Sequence, residues 1–381
     1  MQVVPALEMG GVERGTVEIA QALAKAGWGA LVVSAGGPMV HELDRAGAKH
    51  IVLPVDSKNP LVMVRMIKRL AELIDEYGVS LVHARSRAPA WVAQAAARRR
   101  RKPFVTTFHG TYDVGTPFKY WYGKVMTHGI RVIAISNFIA GHIKKVYRNV
   151  DPGRIVVIPR GVDTQRFDPE RVAAHRMIEL STHWRLTDGM PVVMLPGRLT
   201  RWKGQLVLLD AIAKLGRKDV QCVLVGSDQG RHHYRRDLEA AIRDKGLVGS
   251  VRIIDDCKDM PAAYMLADVV VSASTDPEAF GRIAAEAQAM GRPVIATDQG
   301  GSRETVERDK TGWLVPPNDA GALAAAIQDA LALTAAERNV LARLGRDRIV
   351  QNFTVERMQT ATLELYRAIL ADWPAPPSAA A

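Results

Sequence analysis

The chain has 381 residues, 48% of them hydrophobic and 24% charged, with a formal net charge of +11. That length suits two domains better than one, and no apolar run reaches the roughly 20 residues that span a bilayer as a helix. The start, Met1-Gln2-Val3-Val4-Pro5, lacks the regions of a signal peptide, and Cys222 and Cys257 have neither metal nor disulfide spacing, as for idle thiols in a reducing cytoplasm.

The first half alternates strand-like and helical runs. Val3–Leu7 reads as a short strand, Gly11–Lys25 as a helix and Ala30–Ser34 as the next strand, followed by strands at Ser80–His83, Phe104–Phe108, Arg131–Ile135 and Ile155–Ile158. Continuous apolar strands separated by helices predict a doubly wound parallel sheet. Its first strand looks cut short, so the native start is expected upstream of Met1. Residues 1–168 hold 24 Lys and Arg against 13 Asp and Glu, whereas the rest balance at 27 each. All the excess charge lies in the first half, where it attracts anionic lipid or polyanions. Pro60–Tyr77 reads as a helix with Arg65, Lys68 and Arg69 beside apolar positions, and Arg98–Lys102 adds a basic run. Together they suit an anionic membrane surface; a core-packed helix and a solvated turn are the competing reading.

The second half repeats the pattern, with strands at Pro191–Leu195, Val220–Val225, Val251–Ile254, Val269–Val271 and Pro293–Ala296. The predicted domains are 1–168 and 191–353, joined by a linker at 169–190 and followed by a helix at 354–372 and a loose tail at 373–381. Two such domains bind ligands at the carboxyl ends of their strands. No P-loop, G-x-G-x-x-G after a first strand, or D-x-D occurs, which disfavours a P-loop ATPase, a dehydrogenase and the metal grip of D-x-D enzymes.

Glu278 lies in the loop after an apolar strand, and Glu286 falls in the Ala-rich helix that follows. Eight helical steps put them about 80° apart. A helix mouth collects anions, and carboxylates beside it accept hydroxyls. A sugar nucleotide carries both groups. Arg198 and Lys203 follow a strand and suit a diphosphate, one as a planar fork and the other as a point charge. Gly10-Gly11 lets backbone approach a ligand closely, with a plain turn as its rival.

With seven residues between them, Glu278 and Glu286 resemble the E-x7-E motif of retaining GT-B glycosyltransferases, family 4 in particular. Gly197-Arg198-Leu199 with Lys203-Gly204, Val225-Gly226, Asp298-Gln299-Gly300-Gly301 and Thr311–Val315 match its later landmarks. Gly10-Gly11-Val12-Glu13, Phe108-His109-Gly110, Ile135-Ser136 and Pro159–Asp163 match its earlier ones. The resemblance runs from about residue 3 to about residue 370. It implies an α/β GT-B fold of two Rossmann-like domains facing across a cleft, with the last helix crossing back to the first. It also implies transfer of a sugar, with retention, from a nucleoside-diphosphate donor, using no cofactor and no metal.

For the donor, the resemblance implies contacts from Gly10, Gly11, Gly197, Arg198, Lys203, Gly226, Met260, Glu278, Phe280, Gly281, Arg282, Ile283 and Glu286. Arg198 and Lys203 grip the diphosphate, Glu278 contacts sugar hydroxyls, Glu286 binds the ribose, and the base lies near Asp256–Met260 and Ile283. His109 lies beside the reacting sugar, and the leaving phosphate oxygen takes the acceptor proton. Glu13, Arg14, Arg85, Ser136 and Arg160 fall on the acceptor side. His83-Ala84-Arg85 stands where the family often has H-x-H, and Arg160-Gly161-Val162-Asp163 where it often has N-G-V-D. Each change adds a cation, favouring a lipid-linked or anionic glycan acceptor such as lipopolysaccharide core or a glycolipid. The expected location is the cytoplasm or the inner membrane face, with no nucleic acid as partner. Rivals are a sugar-nucleotide 2-epimerase of the same fold, a polyanion-binding protein, and a glycosyltransferase-like fold without activity.

Overall fold

A computed structural model describes residues 1–8, 10–230 and 232–374. The chain forms two compact units, Met1–Arg160 with the segment from Val355 onward, and Gly161–Thr354.

The first unit is a seven-stranded sheet of β1 (Gln2–Val3), β2 (Leu31–Ser34), β3 (Lys49–Val52), β4 (Val82–Ala84), β5 (Phe104–Phe108), β6 (Arg131–Ala134) and β7 (Ile155–Val157). All pairings are parallel, in the order β3-β2-β1-β4-β5-β6-β7. Its helices are α1 (Gly11–Lys25), α2 (Val40–Arg45), α3 (Pro60–Glu76), α4 (Arg87–Arg99), α5 (Pro117–Lys124) and α6 (Asn137–Val146). Right-handed crossovers put α1 and α2 on one face and α3 to α6 on the other. Central strands are therefore buried on both sides and read as unbroken apolar runs.

Strands β1 and β3 depart most from the sequence reading in this unit, and β4 runs Val82–Ala84 rather than Ser80–His83. The first ends at Val3, because Pro5 has no N–H to continue the ladder. The chain still follows β2 beyond it, through Ala35 N–H to Pro5 O at 2.8 Å. The edge strand β3 lacks an apolar run, since Lys49 and Val52 face solvent.

The second unit is a six-stranded parallel sheet of β8 (Val192–Pro196), β9 (Gln221–Val225), β10 (Val251–Ile254), β11 (Val269–Ser272), β12 (Val294–Thr297) and β13 (Trp313–Val315), ordered β10-β9-β8-β11-β12-β13. Leu195, Leu208, Cys222, Leu238, Val271 and Ile327 lie in its core. Residues 161–168 fold with this unit: Val162 N–H donates to Phe353 O at 2.8 Å, and Arg346 pairs with Asp168 at 3.1 Å. The stretch 169–190 also joins it rather than standing as a bare linker. It carries the helix Ala174–His183, and Arg176 grips Asp259 with two bonds of 2.7 and 2.6 Å.

The helix Val355–Asp372 packs on α1 in the first unit, where Gln359 donates to Glu18 O at 2.8 Å. Its Tyr366 hydroxyl meets His83 Nδ1 at 2.5 Å, while His83 Nε2 meets Thr107 Oγ1 at 2.7 Å. One imidazole thus ties the last helix to the sheet. Trp373, expected in a loose tail, donates to Arg101 O at 3.0 Å; the rest of that tail, 375–381, lies outside the described residues.

Burial, then the charges of Arg85 and the amino terminus, hold His83 well below its ordinary value of 6.5. It is neutral in the fold, whereas an unfolded chain protonates it near 6.5. The stability it confers is complete above that pH and is lost as pH falls below it, by up to about 1.4 kcal/mol per pH unit. Melting temperature should therefore fall between pH 7 and pH 5.5 in wild type, and less in His83→Gln. Equal pH slopes in the two proteins would contradict the assignment.

Candidate functional site

In a doubly wound sheet, loops diverge where the strand order reverses and leave a crevice at the carboxyl edge. In the second unit the reversal falls between β8 and β11. The loop after β8 carries Gly197, Arg198 and Lys203, and the loop after β11 carries Ser274 and Glu278. Lys203 Nζ lies 2.6 Å from Glu278 Oε1, with the two side chains only 12% and 13% exposed. Ser274 Oγ donates to the same oxygen at 2.6 Å, and the ammonium sits 4.2 Å from the Trp202 ring centroid. Gly197 lies against Ile283 and the Lys203 stem. Thus Gly197, Lys203, Glu278 and Ile283 share one crevice. Arg198 is exposed beside them, with its carbonyl accepting from Gln205 Nε2 at 2.9 Å. Arg201 turns away to Asp237 at 2.6 Å.

Gly226 closes the crevice at the end of β9. Its φ is +154°, and a Cβ there would fall 2.1 Å from Gly197 O. Gly281 has φ +84° and caps the helix Arg282–Ala289, a left-handed conformation that favours glycine. Phe280 is buried, edge-on to Phe353 at 5.7 Å.

Glu286 is held at both oxygens. Arg282 Nε donates to Oε1 at 2.8 Å, and the Tyr264 hydroxyl donates to Oε2 at 2.9 Å. Burial, then the Glu286 charge, pushes the Tyr264 phenol well above its ordinary range, so it remains a donor. The carboxylate is therefore held in place at both oxygens, with lone pairs left over for a diol. Met260 opens the short helix that bears Tyr264, capped by Asp259. Neither Tyr264 nor Ser274 was singled out from sequence. Ser274 stands just past the end of β11, where the carboxyl-edge rule finds it. Tyr264 reaches Glu286 across 22 residues and leaves no local signal.

In the first unit the order reverses between β1 and β4. Gly10, Gly11 and Glu13 follow β1, Arg85 follows β4, and His109 follows β5. The Glu13 carboxylate folds back over Gly10, and Arg14 pairs with Glu42. A cavity of about 10 Å³, room for one water-sized guest, is lined by His83, Arg85, Thr107, His109, Ile135 and Arg160 among others. Both His109 nitrogens are buried with no hydrogen-bond partner, as is Arg85 Nε. Burial, then Arg160, Arg85 and His83, hold His109 well below its ordinary range and uncharged.

The acceptor-side candidates are less open than the sequence implied. Arg85 is buried and donates to Gln2 Oε1 at 2.8 Å. Arg160 bonds the Gly11 carbonyl and lies 3.9 Å from Glu18. Ser136 is buried and caps α6 through Ile139 N–H at 3.1 Å. As placed, Arg85 and Arg160 act on His109 as internal charges rather than as surface cations.

Removing one partner of a buried ion pair leaves the other charge uncompensated, at a cost of about 3 kcal/mol. Lys203→Met should destabilise the chain by about that much in urea melts. Lys203→Met/Glu278→Gln should cost clearly less than the sum of its single changes. Additive single costs would contradict a coupled pair.

The family model described as Glycosyltransferase Family 4 matches residues 9–166, and that described as Glycosyl transferases group 1 matches 190–332. A D-inositol 3-phosphate glycosyltransferase of Jonesia denitrificans is 32% identical over 64% of this chain and 58% of its own length. A GDP-mannose-dependent alpha-(1-6)-phosphatidylinositol monomannoside mannosyltransferase of Mycolicibacterium smegmatis is 30% identical over 69% of this chain and 70% of its own. The matched region spans 58% and 61% of the length of two inositol-phosphate relatives. The crystal structure of a glycosyltransferase from Rickettsia africae superposes with a TM-score of 0.91 at 38% identity, covering 97% of this chain and 98% of that one. With both halves matched in order and each forming a Rossmann-like parallel-sheet domain, the chain belongs to glycosyltransferase family 4, of GT-B fold.

Proposed function

We propose that the chain is a retaining, metal-independent glycosyltransferase that moves a sugar from a nucleoside-diphosphate donor to a lipid-linked or anionic glycan acceptor. The acceptor class we favour is a lipopolysaccharide core or glycolipid, met at the inner membrane face in cell-envelope synthesis. The observation that carries the reading is the crevice between β8 and β11, where the Lys203 ammonium meets the Glu278 carboxylate beside exposed Arg198, with Glu286 held three residues past Ile283 on the helix that follows. Lys203 and Glu278 neutralise each other when alone. A diphosphate draws the ammonium, and a sugar hydroxyl donates to the freed carboxylate. Glu286 takes the ribose diol, and Gly226, Met260 and Ile283 frame the base.

In the proposed reaction the bond from the anomeric carbon to phosphate oxygen breaks as the acceptor oxygen bonds to the same face of that carbon. The acceptor proton passes to the leaving phosphate oxygen. Charge growing on the diphosphate is met by Arg198 and Lys203. His109 contributes as a neutral contact, because an imidazolium would oppose the positive charge developing on the sugar. The inositol-phosphate and phosphatidylinositol-mannoside enzymes named above fit an anionic or lipid-linked acceptor. An epimerase would turn over donor with no acceptor present.

The test is transfer of radiolabelled sugar from UDP-glucose or GDP-mannose to extracted membrane lipid, with EDTA present throughout. Label should enter lipid with one donor and should vanish in Glu286→Ala. Label that needs an added divalent metal would contradict the metal-independent reading, and donor turnover without lipid would favour the epimerase. Because His109 is uncharged in the fold, log(kcat/KM) should show no inflection near pH 6.5 traceable to it. An acid limb there that disappears in His109→Asn would contradict its neutral role.

A further inference from the structure

The basic helix α3, read from sequence as a membrane-facing candidate, has a structural partner in α5 that sequence reading did not find. Helix α5 is amphipathic the wrong way round for a buried helix. Tyr120 packs on Tyr147 at 5.4 Å, and Gly123 is buried. Phe118 and Trp121, one turn apart, are 69% and 54% exposed. On α3, Leu61 and Val64 repeat that spacing and are 74% and 66% exposed. Surface apolar residues scattered singly need no explanation, but two such pairs on one edge do.

Topology puts them on one edge. Helices α3, α4 and α5 cover the same face of the sheet, and each begins at the carboxyl ends of the strands. Helix α3 packs on α4, and Trp91 of α4 packs on Trp121 of α5 at 4.6 Å. Arg87, in the first turn of α4, stacks 4.4 Å from the Tyr112 ring. Around the apolar pairs stand Lys58, Arg65, Lys68, Arg87, Lys119 and Lys124, against Asp56, Glu72 and Asp113; Asp113 is tied to Lys119, and Glu72 lies 4.0 Å from Lys68. Exposed aromatic and aliphatic side chains within a ring of cations match an anionic bilayer, whose interface takes Trp and Phe and whose headgroups take Lys and Arg.

We propose that the tips of α3 and α5 dock on an anionic lipid bilayer and bring the carboxyl edge of the first sheet, with His109-Gly110, to the membrane. This moves the contact away from the basic run Arg98–Lys102. That run lies at the far end of α4, about 20 Å from Arg87 along a 13-residue helix, where Arg100 pairs with Asp75 at 2.7 Å. The purpose of docking rests on the lipid-acceptor reading, but the surface is tested without donor or acceptor, so the two fail separately.

The experiment is co-sedimentation of the full chain with vesicles of equal parts phosphatidylglycerol and phosphatidylcholine, and with phosphatidylcholine alone. Wild type should bind the anionic vesicles at least tenfold better, and less well as salt rises. Phe118→Ser/Trp121→Ser should lose at least tenfold with an unchanged melting temperature. Arg99→Glu/Arg101→Glu should stay within about twofold of wild type. Where the aromatic pair proves unstable, Leu61→Ser/Val64→Ser decides by the same tenfold criterion. No binding by wild type, equal binding to both vesicles, full binding by the apolar variants, or loss confined to the Arg99/Arg101 variant would each overturn the proposal. Retention on a soluble polysaccharide that depends on Phe118 and Trp121, without vesicle binding, would assign the patch to a glycan instead.

Discussion

Burial of a parallel sheet on both faces is the constraint on which everything else depends. Strands covered by helices on both sides have no room for polar chemistry along their length. Functional groups are driven to the loops at the carboxyl edge, and a crevice opens only where the strand order reverses. Each unit has one such reversal, between β1 and β4 and between β8 and β11. Nearly all the candidate residues cluster beside these two places, although they are scattered along the chain.

The two units use their crevices differently. In the second, polar groups are paired with one another at the carboxyl edge. Glu278 shares Lys203 and Ser274, and Glu286 is fixed by Arg282 and Tyr264. Such pre-aimed groups need little rearrangement when a ligand replaces part of the network. In the first, charge is held inside. Burial, then half-buried Arg160 and buried Arg85, keep His109 uncharged, while His83 links the last helix to the sheet. Lys58, Arg65, Lys68 and Lys119 do reach solvent, beside the exposed tips of α3 and α5.

The fold was legible because buried parallel strands are apolar along their whole length, so β5 and β10 match the sequence reading residue for residue. Strand β3 was not legible, since an edge strand with Lys49 and Val52 in solvent carries no continuous pattern. The loop landmarks stood out because glycines with fixed backbone demands, such as Gly226 and Gly281, mark them. Their side-chain partners were hidden. Tyr264 and Ser274 are chosen by long-range packing, which no local window contains. Arg85 was misjudged for the same reason: its charge suggested a surface role, while β4 and Gln2 enclose it. The exposed face of α5 escaped notice because an eight-residue helix is too short to show a helical period, so none was read over 117–124.

The measurement that bears most directly on this account is calorimetric titration of UDP, GDP, ADP, CMP and TDP into wild type and Glu286→Ala. If the Lys203–Glu278 crevice and the Tyr264–Glu286–Arg282 cluster serve one donor, the chain should bind one of these nucleotides selectively. That affinity should fall at least tenfold in the variant, about 1.4 kcal/mol. Absence of binding by every nucleotide, or equal affinity in the two proteins, would contradict the assignment of this crevice.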